Sequence, residues 1–223
     1  MYSSKALPGN WTTVFNGVDL EKYTFVREVP PDAPLVFLGR LERFKGVHHA
    51  IAIARASQKR LLIAGNVVRS GPDASYFDEE IAPAIDGDRV RYLGAVGDAQ
   101  KNELLGRASA LLMPIEWEEP FGIVMVEAMA CGTPVIGFAR GSVPEIVRSG
   151  FNGFICRDAG EAIGAVARLD SIERSRPRND AEQRFASNVV VDAYESLYLE
   201  SLVKARKSSP GDIEPTLAAK RRS

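Results

Sequence analysis

The stretch Gly39-Arg40-Leu41-Glu42-Arg43-Phe44-Lys45-Gly46 places two cations, Arg40 and Lys45, on either side of a turn that opens onto a helix. Helix N-termini offer free N–H groups and the positive end of the helix dipole. A guanidinium and an ammonium added to such an end make a site for a diphosphate. A charged surface loop has the same composition, so this stretch leaves both readings open. It is not a triphosphate P-loop, which needs Gly-x-x-x-x-Gly-Lys-Ser/Thr, and it is not the dinucleotide pattern Gly-x-Gly-x-x-Gly.

A second stretch runs from Trp117 through Glu119-Pro120-Phe121-Gly122-Ile123 to Glu127 and on to Cys131-Gly132-Thr133-Pro134. Pro120 fits the first position of a helix and Gly132 its end. Glu119 then falls just outside the helix, and Glu127 nearly two turns in. The rise from Phe121 to Glu127 is roughly 9 Å, about the span of a diphosphate with its attached sugars. The free N–H groups of Phe121, Gly122 and Ile123 lie between the two carboxylates. Carboxylates accept from sugar hydroxyls and backbone amides take phosphate oxygens, so one helix end could hold both sugars and the phosphates between them. Glu119 alone reads equally well as an acid favoured by the helix dipole. Glu127 sits among Val124, Met125, Val126, Ala128 and Met129, where an unpaired carboxylate is costly to bury, and this points to a use for it.

These residues must be positioned by regular elements. Short apolar runs ending in glycine or proline read as buried strands at Pro34–Leu38, Arg60–Ala64, Arg89–Leu93, Ala110–Met113, Pro134–Gly137 and Gly153–Cys156. Helical spacing separates them at Val47–Ser57, Tyr76–Ile85, Ala99–Arg107, Phe121–Cys131 and Val143–Ser149. Strands alternating with helices imply an α/β fold, a Rossmann-like parallel sheet with helices on both faces. Such open sheets bind ligands beyond the carboxyl ends of their strands. The loops after Leu38, Ala64, Leu93 and Met113 should therefore line one crevice, and the two stretches above occupy two of them.

The ends differ. Residues 1–33 contain no complete βα unit and read as a linker, with Asn16-Gly17 marking a turn and Pro30-Pro31 a stiff connection. The Rossmann-like domain is placed at 34–178, followed by C-terminal helices at 179–203 and a tail at 204–223 expected to be disordered. Within Glu182–Val203, Val190, Tyr194 and Leu197 share one helix face, and Val191, Tyr198 and Leu202 an adjacent one. So wide an apolar stripe needs a partner surface, and it could drive formation of a homodimer. The net charge of −1 gives no basic field for nucleic acid. No apolar run is long enough to span a bilayer and the N-terminus lacks a signal-peptide pattern, so a cytoplasmic chain is the default. Cys131 and Cys156 make no disulfide framework, and Cys131 reads as a buried small hydrophobe. Only His48 and His49 are available as imidazoles, so no Cys/His cluster suggests zinc. Both histidines read as surface or structural residues.

Taken together, the chain resembles the retaining glycosyltransferases of family 4, also called glycosyl transferases group 1, which are built from two Rossmann-like domains in the arrangement called GT-B. The resemblance spans roughly Val14 to Tyr198. Its marks are Asn16-Gly17-Val18-Asp19, Gly39-Arg40-Leu41 with Lys45-Gly46, Ala64-Gly65, Gly141-Ser142-Val143-Pro144-Glu145 and, most specifically, the Glu-x7-Glu element from Glu119 to Glu127. The resemblance implies a bacterial-type C-terminal domain that binds a nucleoside diphosphate sugar, UDP-, GDP- or ADP-linked, for transfer of a hexose-type sugar with no metal or other cofactor. Arg40 and Lys45 would bind the donor diphosphate and stabilise the leaving group. Glu119 would contact hydroxyls of the transferred sugar, and Glu127 would hold the ribose. Gly39 and the amides of Phe121, Gly122 and Ile123 would line the phosphates and sugar, while Asn66, Arg91 and Leu93 would surround the base.

The family pattern also has an N-terminal Rossmann domain that supplies the acceptor site and usually a histidine. The 223 residues of this chain are expected to lack that domain, and His48 and His49 do not match that position. The expectation is a donor-binding half that is inactive alone, whose last helix packs on the other domain and which meets a membrane only through that domain, if at all. The alternatives are a non-catalytic nucleotide-sugar-binding subunit that pairs with a separate acceptor-domain chain, and a sugar-nucleotide epimerase, against which Glu119 and Glu127 argue. Asp86-Gly87-Asp88 has a metal-binding form but precedes a strand and reads as a turn. Asn10-Trp11-Thr12 is a glycosylation sequon with no sign of secretion beside it.

Overall fold

In the computed structural model of the chain, residues 11–208 are described, with side chains through Val203. Asn10 of the sequon and the tail beyond Ser208 lie outside the described residues. Six parallel strands form one sheet: β1 (Leu35–Leu38), β2 (Leu61–Ala64), β3 (Val90–Tyr92), β4 (Ala110–Met113), β5 (Val135–Phe138) and β6 (Gly153–Cys156). Their order is β3-β2-β1-β4-β5-β6. The helices are α1 (Val47–Ala56), α2 (Asp98–Arg107), α3 (Ile123–Ala130), α4 (Val143–Ile146), α5 (Ala159–Val166), α6 (Ser175–Phe185) and α7 (Ser187–Ser208). The α/β, Rossmann-like arrangement expected from the alternating pattern is therefore present.

Both faces of the sheet are covered, which is why its strands are apolar throughout and not at alternate positions. In β1, Leu35 and Phe37 turn to a core shared with α1 and α5, and Val36 turns to a core shared with α2, α3 and α6. Pairing Leu35 with Leu61 and Ala110 carries the same alternation across β2 and β4. Burying a side chain of this kind contributes about 1.5–3 kcal/mol. Cys131 and Cys156 are buried in these cores, and burial pushes their thiols up to about 12 and about 11, which keeps both protonated. Among the described residues no helix is long and apolar enough to cross a membrane.

Four elements differ from the expectation. Tyr76–Ile85 is not one helix: a wide turn at Phe77–Ile81 gives way to a tighter one at Ala82–Ala84, where Pro83 has no N–H to continue the ladder. Helix α3 begins at Ile123, not Phe121, because Gly122 takes a left-handed conformation. The long C-terminal helix is two helices, broken at Ala186, whose extended backbone pairs with Val18. The second of them continues past Val203 to Ser208, into the segment expected to be disordered. Helix α5 had no counterpart in the sequence reading; its small residues, Ala159-Gly160 and Gly164-Ala165, give a weak apolar period.

The segment 11–33 lies against the domain. The Val18 amide donates to Phe185 O at 2.8 Å, and the Phe15 ring sits 5.4 Å from that of Phe185. Helix α6 packs on α3 with Ala181 and Phe185 fully buried, so the first part of 179–203 belongs to this domain's own core. On α7, Val191, Tyr194, Tyr198, Leu199, Leu202 and Val203 are exposed. A single buried arginine ties these parts together. Arg174 donates from Nε to Val26 O (2.7 Å), from Nη1 to Ala108 O (2.8 Å), and from Nη2 to Gly106 O (2.8 Å) and Thr133 Oγ1 (2.7 Å). Burial pulls its pKa down to about 10, so it stays charged at neutral pH. Its planar fork of donors matches several acceptors at once, as a lysine could not. Replacement by methionine, which keeps the apolar stem, leaves those acceptors buried without donors. Arg174→Met is expected to lower unfolding stability by about 3 kcal/mol, read from the shift of the urea midpoint.

Candidate functional site

The loops after β1 and β4 meet where the strand order reverses, since β1 pairs with β2 on one side and β4 on the other. Their backbones touch. Gly46 has φ +76°, and a Cβ there would lie 1.9 Å from Pro114 O, so no other residue fits. The Glu116 amide donates to Phe44 O at 2.8 Å, and the rings of Phe44 and Trp117 lie 5.2 Å apart. This contact brings Lys45 to Glu119. Lys45 Nζ forms an ion pair with Glu119 Oε2, and Trp117 Nε1 donates to the same oxygen at 3.1 Å. Lys45 Nζ also lies 4.6 Å from the centroid of the Trp117 ring, a cation–π arrangement. Both partners of the pair are largely buried, with side chains 16% and 12% exposed, so the attraction is screened less than at an open surface.

The Glu119 backbone is held from the other side. Gly141 (φ +50°) approaches so closely that a Cβ would lie 2.3 Å from Glu119 N. Its own amide donates to Glu118 Oε2 at 2.7 Å. Ser142 donates from N to Glu119 O (2.9 Å) and from Oγ to Phe121 O (2.7 Å). Gly122 then turns the chain into α3. Because α3 starts two residues later than expected, Glu119 stands three residues before Gly122, and the helical rise from Ile123 to Glu127 is about 6 Å. Among the described residues no group accepts from the amides of Phe121, Gly122, Ile123 or Val124.

Of the sequence-predicted residues, Gly39, Arg40, Lys45, Glu119, Gly122 and Ile123 line one cavity of about 190 Å³, with Leu38 and Met113 at the ends of β1 and β4. Arg40 and Ile123 are the exposed members; the Arg40 guanidinium is tethered to Glu42 at 3.1 Å. Phe121 turns its ring into the core near Phe15 and Phe185 and does not line this cavity. Arg91 and Leu93 line a separate cavity of about 510 Å³ with Leu62, Val96 and Leu104. The Asn66 side chain is exposed and lines neither; its carbonyl accepts from Leu41 N at 2.9 Å.

Glu127 is buried, as its apolar neighbours imply, and it is not unpaired. Its Oε1 accepts from Tyr23 OH at 2.7 Å and from Lys101 Nζ at 2.7 Å. Its Oε2 has no protein partner among the described residues and is not sealed from solvent. Tyr23, Lys101 and Trp117 were given no role in the sequence reading. Tyr23 lies 104 residues from Glu127 along the chain, and no local spacing points to that contact. Burial, then the Glu127 carboxylate, push the Tyr23 hydroxyl up to about 12. Burial works against the charge on Lys101, but the same carboxylate outweighs it and raises that pKa. The folded state thus favours protonated Tyr23. Its contribution is complete below the ordinary tyrosine value near 10 and is lost as pH climbs through about 12. Urea unfolding across that alkaline window should show stability falling more steeply in the parent chain than in Tyr23→Phe.

A family model described as glycosyl transferases group 1 matches residues 23–189. The glycogen synthase of Mycobacterium tuberculosis is 30% identical over 214 residues, covering 89% of this chain and 50% of that protein. The sucrose-phosphate synthase of Thermosynechococcus elongatus superposes with a TM-score of 0.72 at 26% identity, over 86% of this chain and 52% of the other. HepE of Anabaena, solved with UDP and glucose, gives a TM-score of 0.67 at 25% identity, over 86% and 57%. The chain spans about half the length of the curated relatives it matches.

Proposed function

The chain belongs to the glycosyl transferases of group 1, and on that footing we propose that it binds the nucleoside diphosphate sugar from which a retaining enzyme transfers a hexose. The observation that carries this reading is the Lys45–Glu119 pair, set in a cavity beside the unused amides of Gly122, Ile123 and Val124. Cation, carboxylate and free N–H groups are what a diphosphate joined to a sugar requires. Arg40 and Lys45 neutralise the diphosphate and the charge that develops on it as the glycosidic bond breaks. Glu119 already accepts at Oε2 from Lys45 and Trp117, and its Oε1 remains for hydroxyls of the transferred sugar. Glu127 offers Oε2 to the ribose while Tyr23 and Lys101 hold Oε1. The cavity bordered by Arg91 and Leu93 takes the base. The acceptor approaches from the face on which the leaving group departs, and its binding groups lie in another domain of the whole enzyme.

UDP is the first nucleotide to try, since HepE was solved with it. Calorimetric titration of the chain with UDP, GDP and ADP and their glucose conjugates, without added metal, should show saturable binding to one nucleotide. Lys45→Ala and Glu127→Gln should each weaken that binding by about tenfold or more, equal to about 1.4 kcal/mol, with the melting temperature nearly unchanged. Glutamine is chosen because it can still meet Tyr23. Unaltered affinity in both variants would refute the residue assignment, and no binding to any nucleotide would remove donor binding from this chain's own capacity.

A further inference from the structure

His48 and His49 are the only histidines in the chain. They are consecutive on the first turn of α1, and both ring Nε2 atoms approach one carboxylate in the loop after β4. His49 Nε2 lies 3.1 Å from Glu116 Oε1, and His48 Nε2 lies 4.0 Å from Glu116 Oε2. The two imidazole centroids are 4.1 Å apart, and one ligand atom from each of the three residues falls within 4.8 Å of the others. Ligand atoms around a tetrahedral zinc lie roughly 3.4 Å apart, given bonds of about 2.1 Å. The observed separations bracket that value, and the widest, within 4.8 Å, would close by up to about 1.4 Å shared between two side chains to bring all three onto one ion.

The arrangement also has the support that metal-binding histidines use. The Tyr76 hydroxyl, on a buried ring, lies 2.7 Å from His48 Nδ1 and accepts from the His48 amide at 3.2 Å. With Nδ1–H donating to it, the ring presents the lone pair of Nε2 to Glu116. The nearby cation Arg43 is paired with Glu80, whose charge offsets the repulsion Arg43 exerts on a second positive charge. His48 and His49 are half-buried and Glu116 is exposed, which leaves an approach from solvent.

We propose that His48, His49 and Glu116 bind one divalent first-row cation of the zinc class, with a fourth position open to water. An ion there clips the first turn of α1 to the loop after β4. Those are the two segments that carry Lys45 and Glu119, so it would brace the donor cavity from outside without entering it. The site stands independently of the function proposed above.

The test uses the chain stripped with chelator and titrated with zinc chloride by calorimetry near neutral pH, with cobalt(II) absorption as a second reading of tetrahedral coordination. One ion per chain is expected. His49→Ala and Glu116→Gln should each weaken binding by about tenfold or more, and Tyr76→Phe, which removes only the hydroxyl, by about tenfold. His49 and Glu116 are outside the core, and a melting curve for each variant checks that it is folded. No saturable binding, or binding that survives both His49→Ala and Glu116→Gln, would overturn the assignment.

Discussion

The site depends on a backbone contact between Gly46 and Pro114 at the point where the sheet changes direction. A parallel sheet with the order found here sends the loops after β1 and β4 toward opposite faces, which opens a crevice between them. Only a residue without a side chain lets α1 start so close to the β4 loop. The closeness has three consequences. Phe44 and Glu116 share a backbone hydrogen bond, Lys45 reaches Glu119, and the two histidines of α1 reach Glu116. Each uses the same few ångströms, so a displacement of either loop would disturb all three.

A carboxylate beside a lysine in a small cavity would be a weak stabiliser if nothing else held it, because desolvation offsets most of the attraction. Here the backbone carrying Glu119 is positioned by Gly141 and Ser142, and its side chain by Trp117. Glu127 is fixed in a similar way from a different direction. Tyr23 comes from the segment preceding the sheet and Lys101 from α2, and both converge on one oxygen. Tyr23 is itself kept in place by Arg178, which donates to its carbonyl, and Arg174 does the same for Val26. Arg174 and Arg178 on one side and the carboxylate near the crevice on the other are thus joined through a single stretch of chain, residues 23–26.

How much of this was legible in the sequence follows the range of the interactions. The strands were readable because a parallel sheet buried on both faces needs continuous apolar runs, and Leu35–Leu38 or Ala110–Met113 have no other use. Glu127 was readable because a carboxylate on so apolar a helix must be paired or exposed. The residues that pair with it were not. Lys101 sits on a helix where a lysine is unremarkable, and Tyr23 in a segment that resembles a linker. The first turns of α6, ahead of residue 179, were missed because Ser175-Arg176-Pro177-Arg178-Asn179-Asp180 is polar; Arg178 is spent on the carbonyls of Tyr23 and Ala130, and Asp180 on Asn152 and Arg184. The start of α3 was misplaced because Pro120 is as acceptable in the loop before a helix as at its first position, and the decision rests with Gly122. His48 and His49 looked isolated because Glu116 is 67 residues away from His49 along the chain.

The Lys45–Glu119 pair bears on how a donor could be held without being held too well. On the proposed reading, a diphosphate entering the cavity meets a lysine already satisfied by a carboxylate. It must share that lysine, so the attraction in the ground state is tempered. As the glycosidic bond breaks, its electron pair leaves with the diphosphate, so negative charge grows there while positive charge grows at the sugar's anomeric carbon. The lysine can then shift toward the leaving group while Trp117 keeps a hydrogen bond on Glu119 Oε2. Interactions that strengthen only as the charge develops are the ones that lower a barrier. A lysine with no carboxylate beside it would bind the intact donor more tightly and gain less on the way to the transition state, so the anion in an anion-binding site is consistent with transfer and not merely tolerated by it.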